Sequence, residues 1–138
     1  MSSTLSAAPA KRILVVDDEK PIRDILEHAL TSSGFHVHTA ADGFEALSLA
    51  RQHRFDLVIT DMVMPGKDGI ETIMELRRTL PGIKIIAMSG GQSTGTGDFL
   101  PLAKTLGASA VLKKPFNRET FFDSVRGVLE PGEALLAS

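Results

Sequence analysis

The chain has 138 residues, enough for one domain of common size and too few for a second of comparable bulk. Hydrophobic residues at 43% and charged residues at 23% suit a globular domain and exclude disorder over most of the length. Fifteen basic against seventeen acidic residues leave a net charge of -2, without the basic excess of a nucleic-acid binder, and the absence of cysteine excludes disulfides, thiolate nucleophiles and Cys-ligated metals.

Along the chain, "MSSTLSAAPAKR" lacks the charged start and apolar run of a secretory signal, so residues 1–10 are expected to form a flexible tail. The apolar run Ile13–Val16 predicts a first strand that stops at two adjacent acids, Asp17 and Asp18. Ile22, Ile25, Leu26, Ala29 and Leu30 fall at i, i+3, i+4, i+7 and i+8, a single apolar stripe that predicts the first helix, with Gly34 placed to form a left-handed C-terminal cap. Asp18 could itself be no more than an N-cap for that helix. Phe35–Thr39 predicts the second strand. His36 and His38 share one of its faces, but no third ligand is evident, so packing is expected rather than a metal pair.

Phe44, Leu47 and Ala50 mark a second helix, and Leu57–Thr60 a third strand, with Asp56 as its polar start and Asp61 at its end inside "VITDMVMPGKDG". Ile70, Ile73 and Met74 mark a third helix, which Asp68 is expected to cap. Ile83–Met88 predicts the fourth strand, ending in Ser89. "SGGQSTGTGD" follows as a loop, and "GDFLPLAKTLGA" as a shorter fourth helix with Pro101 in its first turn and Gly107 at its cap. Ala110–Leu112 predicts the fifth strand, leading into Lys113, Lys114 and Pro115. Phe121, Val125, Val128 and Leu129 mark the last helix, and Pro131-Gly132 stops it, leaving residues 131–138 as a C-terminal tail. No apolar run approaches the roughly 20 residues of a membrane span, so the expectation is a soluble, cytoplasmic protein that engages neither membrane nor nucleic acid.

Five strands alternating with five helices predict an α/β fold, a flavodoxin-like, doubly wound, five-stranded parallel sheet in the order 2-1-3-4-5, over residues 11–130. In that order the carboxyl ends of strands one and three are neighbours, which brings Asp17 and Asp18 to Asp61, flanked by Ser89 and the lysines after strand five. Three carboxylates held together repel one another unless a cation is bound. Acids without His or Cys, and room for water, suit Mg²⁺ shared with a phosphate oxygen. A lysine and a serine beside them could hold the other oxygens of a phosphoryl group, and one carboxylate could be the nucleophile that accepts it. Lys113 is expected to be solvated, since adjacent strand positions face opposite ways.

"VVDD", "DMVMPGKDG", "MSG" and "KPF", in that order over roughly residues 11 to 130, resemble the receiver domain of bacterial two-component response regulators. The resemblance implies that Asp61 accepts a phosphoryl group from a histidine kinase or phosphotransfer protein, in a Mg²⁺-dependent reaction with no separate substrate turned over. It further implies that Asp18 ligates the metal directly with Asp61, that Asp17 acts through a bound water, and that the Val63 backbone carbonyl completes the set. Ser89 would bind a phosphoryl oxygen and Lys114 would pair with the phosphate, with a cis bond to Pro115. Output would pass through the surface of the fourth helix, fifth strand and fifth helix, with Phe121 and Phe122 available there and one of the two expected in the core, in a monomer or weak dimer.

The chain departs from that pattern at Val111, where many receivers carry Tyr or Phe as the aromatic that follows the strand-four hydroxyl. Val63 and Gly91, at positions that tune phosphoryl lifetime, offer no side chain to orient an attacking water, which predicts a long-lived phosphoaspartate. Three other readings compete with a stand-alone switch. A phosphorelay intermediate would use the same residues. A Mg²⁺-dependent aspartyl phosphatase calls for a second acid two residues after the nucleophile, where Asp18 and Asp61 have Lys20 and Val63. An FMN-binding, flavodoxin-like protein would carry its Ser/Thr/Gly loop after the first strand, where this chain has acids, and the usual Trp and Tyr for stacking are missing.

Overall fold

The computed structural model describes residues 10–62, 69–89 and 105–130. Within them the elements are β1 (Arg12–Val16), α1 (Lys20–Ser32), β2 (His36–Ala40), α2 (Gly43–Gln52), β3 (Leu57–Asp61), α3 (Gly69–Thr79), β4 (Lys84–Ser89), β5 (Ala110–Lys113) and α4 (Arg118–Leu129). All five strands are parallel, in the order β2-β1-β3-β4-β5. Two rows of the register cross the whole sheet, and the one nearer the carboxyl ends is Ala40, Val16, Thr60, Ala87, Val111. The next two rows begin the polar edge, with Asp61 beside Met88 in the first and Ser89 beside Lys113 in the second.

Residues of β1, β3 and β4 are buried on both faces, which is why their sequences run apolar without alternation. Alternate side chains feed two separate cores. Leu14, Val16, Val58, Ile85 and Ala87 meet Ala46, Leu47, Ala50, Ile73 and Leu76 from α2 and α3 on one face. Ile13, Val15, Ile59, Ile86, Met88 and Leu112 meet Leu26, Leu30, Phe121 and Val125 from α1 and α4 on the other. Four helices are thus in view. Of the segment expected as a further helix, residues 97–108, only the end from Thr105 is among the described residues, so Pro101 is not.

Helix starts follow their cap chemistry. Asp42 accepts from the Glu45 N–H at 2.8 Å while the Glu45 carboxylate accepts from the Ala41 N–H at 2.8 Å, and Asn117 accepts from the Thr120 N–H at 2.7 Å. At the end of α1, Gly34 has φ of +97°, as the sequence predicts, and the Phe35 N–H reaches back to the Leu30 carbonyl. Three members of the predicted apolar stripes do not enter a core: Ile25 is 62% exposed, Phe44 63% and Met74 45%. Each lies at the flank of its stripe, and the arc that a sheet covers on each helix is narrower than the stripe. No helix among the described residues is long and apolar enough to cross a membrane.

Candidate functional site

β1, β3, β4 and β5 end side by side, and each delivers a polar group to the same edge. Asp17, first residue beyond β1, is fully buried; Asp61 and Ser89, the last residues of β3 and β4, are buried as well. The Met62 N–H donates to the Met88 carbonyl at 2.9 Å, which extends the β3–β4 pairing one step past Asp61 and fixes the backbone that carries it. Past β5, the Lys114 amide donates to the Ser89 carbonyl at 2.7 Å, and the Lys114–Pro115 peptide is cis, as expected.

Lys114 Nζ lies 2.7 Å from Asp17 Oδ2 and 3.6 Å from Asp61 Oδ2, so one ammonium spans the acids of two strands. Burial, the largest single influence, pushes the Lys114 pKa down. The hydrogen bond that Lys114 donates to Asp17 and the charges of Asp61, Asp17 and Glu19 together outweigh it, and the pKa is raised. The other carboxylate oxygen of Asp17 accepts from the Glu19 N–H at 2.9 Å.

Asp18 is exposed, and it is not the N-cap of α1: Glu19 holds that position without a side-chain cap bond, and Asp17 supplies the carboxylate that meets the Glu19 N–H. Carboxylate oxygens of Asp17, Asp18 and Glu19 lie within 4.8 Å of one another. Counted with Asp61, four acids share this edge with Lys114. The excess negative charge and the all-oxygen donor set fit a small hard dication.

α3 begins where it can touch this edge only as glycine. A Cβ built on Gly69 would lie 2.4 Å from Met62 Cα and 2.5 Å from the Asp61 carbonyl oxygen, both backbone atoms of the strand end. With no side chain there, the Gly69 N–H donates to the Met62 carbonyl at 3.2 Å.

Residues 13–126 match the family model for the response regulator receiver domain. The chain belongs to the response-regulator receiver family. This receiver is 34% identical over 119 residues to the sporulation initiation phosphotransferase F of Bacillus subtilis (strain 168), covering 86% of this chain and 94% of that one. Among solved structures it resembles the chemotaxis protein CheY4 of Vibrio cholerae, with 36% identity, TM-score 0.77 and coverage of 87% and 99%. A CheY-like receiver from Methanospirillum hungatei JF-1 gives 29% identity, TM-score 0.81 and coverage of 91% and 98%. As a receiver, the protein is a phosphorelay component of two-component signalling.

The receiver fold brings together Asp17, Asp61, Ser89 and Lys114, with Asp18 at the rim. Val63, Asp68, Gly91 and most of the Ser/Thr/Gly loop lie outside the described residues. Val111 packs against the α2/α3 core, on the row before Leu112. Lys113 is exposed, and Asp56 is occupied away from the site, accepting from the Arg12 N–H at 2.8 Å. Phe121 and Phe122 are both buried, which corrects the expectation that one is available at the surface.

Sequence reasoning missed three members of this edge. Glu19 reads only as a favourable charge at a helix start, and the sequence assigns Gly69 and Arg23 no role of their own. The Arg23 Nη1 in fact donates to the Asp17 carbonyl at 2.8 Å. Only Gly69 left a local signal, as a glycine directly before a helical stripe.

Proposed function

We propose that Asp61 is the phosphoacceptor of this receiver, charged from the phosphohistidine of a histidine kinase or phosphotransfer protein. In that step the P–N bond of the donor breaks and a P–O bond to an Asp61 carboxylate oxygen forms, and the histidine, protonated beforehand on its other ring nitrogen, leaves as neutral imidazole. The observation that carries the reading is a buried carboxylate at a strand end with an ammonium 3.6 Å away, beside an excess of acids.

Asp18 and Asp61 would hold Mg²⁺ directly, Asp17 would hold it through water, and the carbonyl of Val63 would complete the protein's share. The ion supplies charge neutralisation at the transferring phosphoryl group. Lys114 pairs with the phosphoryl oxygens and Ser89 donates its hydroxyl to one of them. The chain turns over no separate substrate. Identity to a sporulation phosphotransferase favours a second role, as a relay that passes the phosphoryl onward to another histidine. Output in either role runs along β5 and the last helix, where Lys113, Arg118 and Arg126 are exposed and both phenylalanines are withdrawn.

Incubation with a small-molecule phosphodonor and Mg²⁺, read by intact mass, tests the assignment. Wild type gains one phosphoryl group and Asp61→Asn gains none. No addition to wild type, or equal addition to both, overturns it.

A further inference from the structure

Asp17 is held at every polar atom it has. Its N–H donates to the Ala40 carbonyl at 3.1 Å, its Oδ1 accepts from the Glu19 N–H, its Oδ2 accepts from Lys114 Nζ, and its carbonyl accepts from Arg23 Nη1. Two of these four partners are backbone groups and two are side chains. Lys114 is the side chain that the proposed phosphoryl group would draw away, since its ammonium already lies between Asp17 and Asp61. Arg23 is then the one side-chain partner that Asp17 keeps.

Arg23 is well placed for this. It sits in the first turn of α1, its own N–H donating to the Glu19 carbonyl at 3.1 Å, so the residue that fixes one end of the β1–α1 turn also reaches back to the other. The side chain is partly buried, and its bond is to the carbonyl of fully buried Asp17, just past a strand buried from Ile13 to Val16. A guanidinium on a backbone carbonyl makes a charge-assisted hydrogen bond, and a carbonyl inside a turn moves only with the peptide that carries it.

We infer that Arg23 is a positioning residue: it pins the Asp17 peptide, so that the Asp17 and Asp18 carboxylates stay presented to the cation whether or not Lys114 is paired with Asp17. The inference rests on the reading of this edge as the Mg²⁺ and phosphoryl site. It makes a prediction opposite in sign to simple electrostatics. Removing a cation from beside a cluster of acids should tighten Mg²⁺ binding by Coulomb attraction alone. Removing a pin should weaken it.

The test is Mg²⁺ titration by calorimetry, since the chain has no Trp to report binding. Four proteins are compared: wild type, Arg23→Ala, Arg23→Gln and Lys20→Ala. Lys20 is a cation of the same helical turn whose side chain pairs with exposed Asp24 instead. Arg23→Ala is expected to raise the Mg²⁺ Kd by about tenfold, the low end of what losing a partner behind a metal ligand costs. Arg23→Gln, which keeps a donor without the charge, recovers most of that loss. Lys20→Ala stays within about twofold of wild type or binds tighter. At saturating Mg²⁺, phosphorylation of Arg23→Ala returns to within about threefold of wild type, because the acceptor itself is untouched.

Unchanged or tighter Mg²⁺ binding by Arg23→Ala overturns the inference, and so does equal weakening by Arg23→Gln or Lys20→Ala. Failure of wild type to bind Mg²⁺ or take a phosphoryl group overturns the site reading first, and the inference with it. A phosphorylated, Mg²⁺-binding wild type with an indifferent Arg23→Ala sinks the inference alone.

Discussion

The two edges of this sheet handle charge in opposite ways. At the carboxyl edge, acids of two strands are buried and tied to one ammonium, Lys114, with carboxylates to spare. At the amino edge, basic groups gather instead. The His38 and His53 rings are 4.4 Å apart between centroids, Arg12 Nη1 lies 3.2 Å from His53 Nδ1, and Phe55 closes the cluster edge-on. Burial first, then the proximity of His53, Arg12 and His36, pushes the His38 pKa down. The amino edge relieves like-charge repulsion by holding a histidine neutral, within the chain's own means. At the carboxyl edge the acids outnumber the one ammonium, and the cation proposed for that edge would come from outside the chain.

Removing the ammonium tests that contrast most severely. Lys114→Met leaves Asp17 buried without its cation, and breaking a buried pair this way costs about 3–5 kcal/mol. The expected loss in urea unfolding is large without Mg²⁺ and shrinks when Mg²⁺ is added; a loss indifferent to Mg²⁺ would contradict the picture of one shared charge deficit.

Next in size is a pair of alanines, one at each edge. Gly69→Ala forces a methyl into the backbone of Asp61 and Met62 and should cost about 1–3 kcal/mol as overpacking, with slower phosphorylation per folded molecule. Gly127→Ala, near the far end of α4, meets nothing within 4 Å and should stabilise by about 0.5–1 kcal/mol with phosphorylation unchanged. Equal effects of the two on the phosphorylation rate would show that the Gly69 contact does not serve the site.

pH gives the smallest effect and separates the edges by direction. The lowered His38 pKa means that the unfolded chain binds the proton more readily, so this contribution is present above the ordinary value of 6.5 and is lost as pH falls below it. The raised Lys114 pKa works in reverse: its contribution is complete below the ordinary 10.5 and is lost as pH climbs through the higher folded value. Melting wild type and His38→Gln at about pH 8 and about pH 5 should show a smaller acid loss for the variant, worth under about 1 kcal/mol after solvent screening. An equal acid loss in both would remove His38 from the account.

Much of this was legible from residue order alone. β-branched runs ending in acids gave the parallel sheet, its strand order and the meeting of Asp17 with Asp61, because buried parallel strands leave an unmistakable pattern. Helical spacing placed α1, but it could not say that Ile25 faces outward, since the width of the covered arc is set by the sheet and not by the helix. The lysine that spans the acids was readable as a candidate, whereas its preference for Asp17 over Asp61 was not. Arg23 was invisible for the same reason as the pairing of His38 with His53: each is a contact between elements, fixed by where a long side chain comes to rest. Gly69 was visible as a letter but not as a collision avoided.

Ser89 and Lys114 are usually thought of as two side chains, yet the amide of one bonds to the carbonyl of the other at 2.7 Å. Hydroxyl and ammonium therefore hang from a single rung between β4 and β5. A ligand that drew the ammonium would draw on the strand bearing the hydroxyl as well, so the two side chains would act as one jaw rather than two fingers. A group held on Asp61 would meet both from one side, the side of the sheet that ends in β5.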